Sequence, residues 1–225
     1  MTLFARLKDA AGRDWTDYAS HEFVRRLGDG SLPEAAFRRY LVQDYLFLIQ
    51  FARANALAVY KSRTLADMRA AQGALSAILD AELRLHVTIS ARWGLSAEDL
   101  DTAREARETL AYTRFVLDRG AAGDLLELQV ALSPCVVGYA EIGRALTPGG
   151  IAAVPAEHPY RDWIADYAGA PYQDVARRAR AQLDSLAQRM MPERRFEDLA
   201  EVFAMACRLE TDFWQMGLDA ASDPR

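Results

Sequence analysis

The sequence predicts an all-α protein, a multi-helix bundle, and three observations carry that prediction. Glycine (13) and proline (8) are sparse in 225 residues, and they fall mostly between long stretches in which apolar residues recur every three to four positions. No stretch reads as a run of β-branched strand residues. At 51% hydrophobic and 26% charged, the chain has the composition of a globular protein with a core large enough to enclose a pocket. A single helical domain over residues 1–225 is expected.

The elements follow in order. A first helix is expected from Leu3 to about Ala19, with Phe4, Leu7, Ala11, Trp15 and Tyr18 along one side. Ser20-His21-Glu22-Phe23 opens a short segment ending at Gly28-Asp29-Gly30. Ser31-Leu32-Pro33 then reads as a cap with proline near the first helical position. The second helix is long, from Pro33 to about Arg63, and the third covers Leu65 to Arg92 and stops at Trp93-Gly94. Ser96-Ala97-Glu98-Asp99 resembles a capping box ahead of a fourth helix from about Thr102 to Arg119. The fifth, Asp124 to Leu146, stops at Thr147-Pro148-Gly149-Gly150. A short sixth (Tyr160 to Ala168), a seventh from Pro171-Tyr172 to about Met190, and a last helix from Pro192 to Asp219 complete the set.

Charge and composition exclude several classes. With 27 Lys+Arg against 32 Asp+Glu, a net charge of −5, there is no basic surplus to displace phosphate counterions, and nucleic acid is not an expected partner. Two cysteines are too few for a disulfide framework and suit a reducing compartment. Three histidines rule out a histidine-rich metal cage. Charges enter within the first ten residues, so no apolar signal core forms. The stretch Leu41 to Tyr60 reads as the most apolar, yet it carries Asp44, Gln50, Arg53 and Asn55, which a bilayer span would not hold unpaired. The expectation is a soluble cytoplasmic protein without a membrane partner.

Polar residues interrupt the apolar stripes. Asp44 sits among Phe37, Leu41, Leu48 and Phe51, and Glu210 among Leu199, Phe203, Ala206 and Phe213. In the third helix Leu75, Ile78, Leu85 and Ile89 flank Glu82, with His86 one turn on. A buried carboxylate costs several kcal/mol unless hydrogen-bonded or neutralised, and such groups cluster at functional sites. Each acid taken alone equally fits an ion pair with an arginine of a neighbouring helix. In the fifth helix Pro134 predicts a kink beside Cys135. Cys135 and Tyr139 lie one turn apart on the stripe of Leu128, Leu132 and Ile142, and Gly138 and Gly143 leave room for a ligand or a helix. Cys207 reads as packing, and a lone buried Cys135 would also fit an inert small hydrophobe. Phe47, Tyr112, Tyr139 and Tyr167 add aromatic lining, three of them with a hydroxyl in need of a partner. These features suit a pocket for a flat, hydrogen-bonding small molecule.

The chain resembles the thiaminase II (TenA) family, in its cysteine-containing branch, whose helical fold is shared by haem oxygenases. The resemblance is carried by Gly28-Asp29-Gly30-Ser31-Leu32-Pro33, Phe37-x-x-Tyr40-Leu41-x-Gln43-Asp44-Tyr45 and Ser133-Pro134-Cys135 with Tyr139-x-Glu141-x-Gly143. Tyr160-x-x-Trp163-Ile164-x-x-Tyr167 and Glu210-x-x-Phe213-Trp214 complete it. It implies hydrolysis of 4-amino-5-aminomethyl-2-methylpyrimidine to the hydroxymethyl compound and ammonia, in thiamine salvage, with cleavage of thiamine itself in many members. By resemblance Cys135 is the nucleophile that adds to the pyrimidine ring, Glu210 protonates or hydrogen-bonds the ring nitrogen, and Asp44 holds the exocyclic amine and assists the thiol. Phe47, Tyr112, Tyr139 and Tyr167 would stack on or hydrogen-bond the substrate. No metal or organic cofactor is implied, and the implied assembly is a homotetramer. Three departures stand out: Val136-Val137-Gly138 after the cysteine, Leu209 and Thr211 beside Glu210, and His21-Glu22-Phe23 for the usual His-Pro-Phe. The competing readings are a di-iron oxidase of the same fold using Glu82 and His86, a haem oxygenase with His21 as axial ligand, and a non-catalytic pyrimidine-binding regulator.

Overall fold

The computed structural model describes residues 1–222, apart from the Ala81 side chain, and the described residues form helices and turns without a strand. α1 (Leu3–Ala11) starts where the Thr2 hydroxyl accepts the Ala5 amide at 3.3 Å. It ends at Gly12, whose φ of +50° is open to glycine at little cost. The expected single helix to Ala19 is therefore two helices, α1 and α2 (Arg13–Ala19). α3 (Glu22–Asp29) is capped by His21, whose Nδ1 accepts the Phe23 amide at 3.2 Å. It closes on Gly30 at φ +81°.

α4 (Glu34–Lys61) follows directly on Pro33, which stands at the N-cap with no side-chain cap bond, so Ser31 does not cap this helix as expected. The third predicted helix is one continuous rod of three pieces: α5 (Leu65–Ala77), a π-helical turn (Ile78–Glu82) and α6 (Leu83–Arg92). The Ser96–Asp99 capping box forms, but it opens a separate short helix, α7 (Ala97–Thr102), and α8 begins only at Arg107 (Arg107–Ala122).

α9 (Leu125–Ser133), a second π turn (Pro134–Gly138) and α10 (Tyr139–Ala145) make the fifth predicted helix. This span, Leu125–Ala145, is long and apolar enough to cross a membrane (mean hydropathy 1.3), so it, rather than Leu41–Tyr60, is the chain's most apolar stretch. It is largely buried inside the protein, as the core helix of a globular domain is. After a 3₁₀ turn (Ile151–Ala153) come α11 (Arg161–Ala168) and α12 (Ala170–Met190), then a 3₁₀ turn (Glu193–Arg195) and α13 (Phe196–Ser222).

The chain divides into two compact units, residues 1–32 with 129–214, and residues 33–128 with the C-terminal segment from Gln215. In the first, α12 packs on α1, α10, α11 and the second π turn. Its core is aromatic: Trp214 stacks on Phe23 (ring centroids 4.9 Å apart) and on Tyr18 (6.4 Å), and Phe203 meets Phe4 edge-on and Trp15 face-on. In the second, α4 is the central helix, with α5, α6, α7 and α8 packed around it. Small residues on α4, Ala36, Ala54 and Ala58, are fully buried and let its neighbours approach closely.

Candidate active site

The first unit carries Cys135, Tyr139, Tyr167 and Glu210. Pro134 has no N–H to give the Val130 carbonyl one turn earlier. The Ser133 hydroxyl donates to that oxygen instead, at 2.8 Å. The predicted kink is thus realised as a π turn, a form that recurs at functional sites. Its first two carbonyls accept tyrosine hydroxyls, Pro134 from Tyr18 (3.0 Å) and Cys135 from Tyr172 (3.4 Å). Cys135 is partly exposed, while Leu132, Val137, Tyr139 and Ile142 around it are buried.

The two glycines of this helix serve packing. A Cβ on Gly138 would lie 2.6 Å from the Tyr18 hydroxyl, and one on Gly143 would lie 2.6 Å from the Tyr167 backbone. Gly138 therefore admits the Tyr18 ring and Gly143 admits α11. Gln173 locks that contact, its amide donating to the Ala140 and Tyr167 carbonyls at 2.8 and 2.7 Å.

Tyr139 and Tyr167 lie 5.0 Å apart by ring centroid, within a wall completed by Trp163, Tyr172 and Trp214. Trp163 and Trp214 were part of the sequence motifs without being singled out as lining. The signal was present in Trp163-x-x-x-Tyr167 and Glu210-x-x-x-Trp214, whose partners stand one turn apart. Glu210 is 1% exposed, on the buried stripe of Phe203, Ala206, Phe213 and Trp214. Cys207, one turn before it, is sealed. Burial, and then the negative charge of Glu210, push its thiol well above the ordinary cysteine range, so it stays protonated and inert.

The second unit carries Asp44, Phe47 and Tyr112. Asp44 is 6% exposed. Its Oδ2 accepts the Tyr40 hydroxyl at 3.2 Å and lies 3.5 Å from His86 Nδ1. Burial raises its carboxyl to about 7, against the smaller lowering effect of Tyr40. His86 is pushed down to about 4 by burial, with its Nε2 held 2.6 Å from the Leu41 carbonyl.

The expected third-helix stripe is rotated. The buried face runs through Ala71, Ile78, His86 and Ser90, while Leu85 is 44% exposed and Glu82 is half-buried. The π turn is the reason, since the Leu83 amide bonds the Ile78 carbonyl five residues back. From Ile78 to His86 an α-helix would advance about 800°, roughly 80° beyond two turns. The extra residue held in the π turn takes back about 100°, and so aligns His86, not Leu85, with Ile78.

Phe47 packs against Tyr112 at 5.0 Å and Phe51 at 5.9 Å. A small cleft beside it is lined by Phe47, Gln50, Phe51, Thr113 and Val116. Gln43, next to Asp44, orders the start of α8. Its Oε1 accepts the Ala106 amide (2.8 Å) and the Thr109 hydroxyl (2.6 Å), and its Nε2 donates to the Arg104 carbonyl (2.9 Å). These bonds place Tyr112 one turn further along. Within its own unit, then, each predicted residue meets aromatic or polar neighbours. Among the described residues no group of three or more His, Cys, Asp or Glu is arranged to hold a metal ion. His86 directs both ring nitrogens to Leu41 and Asp44.

Comparison with known proteins adds the following. The profile of the TENA/THI-4/PQQC family matches residues 9–220. An uncharacterised protein of Haemophilus influenzae is 40% identical over 207 residues, 92% of this chain and 94% of its own. The aminopyrimidine aminohydrolase of Halalkalibacterium halodurans is 36% identical, covering 96% and 95% of the two chains. Among solved structures, a TenA family transcription regulator from Silicibacter sp. TM1040 superposes with a TM-score of 0.90 at 43% identity, covering 96% of each chain. A Shewanella denitrificans domain with a heme oxygenase-like fold superposes at 0.70 with 12% identity, covering 97% of this chain and 92% of its own. That last likeness is of fold alone, and the fold is all-α and haem-oxygenase-like.

Proposed function

The chain belongs to the TENA/THI-4/PQQC family, and from that membership we propose that it is a hydrolase of C–N bonds in thiamine salvage. The proposed reaction converts 4-amino-5-aminomethyl-2-methylpyrimidine and water into the hydroxymethyl compound and ammonia. The relative at 36% identity over nearly the whole chain, named aminopyrimidine aminohydrolase, supports the substrate class. The observation that carries the reading is the setting of Cys135. Of the two thiols it is the partly exposed one, on a π turn beside an aromatic wall, while Cys207 is sealed.

The roles follow from the chemistry. An aminopyrimidine is a poor electrophile until a ring nitrogen is protonated, and Glu210 supplies that proton. The Cys135 sulfur then adds to the ring, with Asp44 as the base that assists the thiol and holds the exocyclic amine. Electrons returning through the ring expel ammonia from the methylene carbon. Water adds there, the sulfur leaves, and the free thiol is restored. Tyr139, Tyr167, Phe47 and Tyr112 serve as stacking and hydrogen-bonding groups for the pyrimidine. Thiamine is proposed as a further substrate, its thiazolium leaving in place of ammonia.

Ammonia release from the aminomethylpyrimidine, formamide release from its formyl derivative and thiazole release from thiamine, assayed side by side, test the reading. Turnover that vanishes in Cys135→Ser supports it, and a fully active Cys135→Ser overturns the covalent route. Binding of the pyrimidine without turnover would favour a regulator. We also propose a cytoplasmic homotetramer. Exposed Tyr60, Leu65, Met68, Leu79 and Leu85 offer apolar surface for self-association, and light scattering of the purified chain measures its mass.

A further inference from the structure

We propose that His86 is a positioning residue for Asp44: its Nδ1 lone pair accepts a hydrogen bond from the proton that Asp44 carries on Oδ2, which leaves Oδ1 as the acceptor for the substrate's amine. The proposal rests on the reading of Asp44 as the group that holds that amine.

The tautomer follows from the partners. The Leu41 carbonyl can only accept, and it lies 2.6 Å from His86 Nε2, so Nε2 carries the hydrogen. The ring is buried and kept neutral, so Nδ1 presents a lone pair. That lone pair faces Asp44 Oδ2 at 3.5 Å, a separation of the kind that shortens when substrate binds. Tyr40 donates to the same oxygen. Both of these contacts use Oδ2, and among the described residues Oδ1 has no such partner. On the helices packed around α4, the buried titratable groups are His86 of α6 and Tyr112 of α8, and the half-buried charged groups are Glu82 on the π turn, Asp67 on α5, and Glu108 and Arg119 on α8. Tyr112 lies against Phe47.

The π turn supplies the second, independent observation. It costs the rod a regular hydrogen bond, and its effect is to turn His86 instead of Leu85 inward. An apolar side chain there would bury more easily, so the turn serves the imidazole. When Asp44 takes up a proton during turnover, an O–H bond forms at Oδ2 and its hydrogen points to Nδ1. The imidazole neither gains nor loses a proton, and no oxidation is involved. His86 thus decides which carboxyl oxygen is acid and which is acceptor.

Two measurements test this. In the first, ¹⁵N-histidine NMR of the intact chain is read from pH 8 to pH 5. The three histidines are assigned with substitutions at His21 and His158. The expected result is a neutral Nε2–H tautomer for His86 across the range, with an Nδ1 resonance that moves in Asp44→Asn. A protonated Nδ1, or an Nδ1 unmoved by Asp44→Asn, overturns the proposal without any His86 variant having to fold.

In the second, kcat/KM for the aminomethylpyrimidine is followed against pH in His86→Gln and His86→Asn, each checked for native helicity. Gln keeps a donor for Leu41 but places no acceptor where Nδ1 stood. It should lower kcat about tenfold and move the ascending limb to lower pH, because the protonated acid loses its acceptor. Asn sets its Oδ1 in the place of Nδ1 and should recover much of both. A wild-type pH profile and kcat in His86→Gln, or equal loss in the two variants with no change in profile, overturns the proposal. Absence of turnover by the unsubstituted chain, together with the expected NMR result, refutes the functional reading and leaves the pair standing.

Discussion

Replacing Asp44 with asparagine is expected to stabilise the folded chain, by an amount that grows with pH. Burial holds the Asp44 carboxyl near 7 in the folded protein, against an ordinary value of 3.8. Below pH 3.8 it is protonated in both states, and its contribution to stability is fully present. Between 3.8 and 7 the unfolded chain alone releases the proton, so stability declines with rising pH and levels off once the folded carboxyl ionises. Three pH units at about 1.4 kcal/mol each give about 4 kcal/mol at pH 8, and about 1.5 kcal/mol at pH 5.

His86 runs the other way, because its folded value near 4 lies below the ordinary 6.5. Its stabilising contribution is present above 6.5 and is lost as the pH falls towards 4. Between about 4 and 6.5 the pair therefore holds one proton in the folded and the unfolded chain alike, and its net effect on stability is flat. Asp44→Asn removes one half of this balance. Urea unfolding at pH 5, 6.5 and 8, at one fixed protomer concentration, should show the variant gaining roughly 2–3 kcal/mol on the wild type between pH 5 and pH 8. The variant's own stability should fall below pH 6.5 as His86 is left unbalanced. A difference between variant and wild type that is the same at pH 5 and pH 8 would refute the reasoning.

Other outcomes follow from the same geometry. Cys135→Ser should abolish ammonia release, a loss of at least about 10³ in kcat, while Cys207→Ala retains turnover; single-turnover assays compare the two. Glu210→Gln should lower kcat by about 10²–10⁴, and a variant within threefold of wild type would remove Glu210 from the acid's role. Gly138→Ala places a Cβ against the Tyr18 ring, 2.6 Å from its hydroxyl, and should cost about 1–3 kcal/mol in urea unfolding through strain in the π turn that bears Cys135.

Much of the candidate site was readable along the chain because buried polar groups break apolar periodicity. Asp44 and Glu210 do interrupt buried stripes, and Pro134 does distort its helix. The same reasoning places the third helix correctly but turns the wrong face of it inward. The α period of 3.6 sets Leu75, Ile78, Leu85 and Ile89 on one face, and no residue at 78–82 announces a π turn, since neither Gly nor Pro is required there. The two glycines near Cys135 were equally ambiguous. Whether a missing side chain makes room for a ligand, a ring or a backbone depends on what approaches it, and here Tyr18 and α11 do.

The sequence by itself determined the helical class, the number of long helices, most of their ends and the identity of the polar residues set into apolar faces. Those are local properties, written in periodicity, caps and the conformational limits of glycine and proline. Tertiary structure alone decided that the Val130 carbonyl left by Pro134 goes to Ser133, that Gln43 orders the start of α8, and that a π turn brings His86 to Asp44. Each joins groups that short-range pattern does not pair. Burial then supplies the energetic consequence, because withdrawal from water disfavours the charged form of each group, so the carboxyl holds its proton and the imidazole stays neutral.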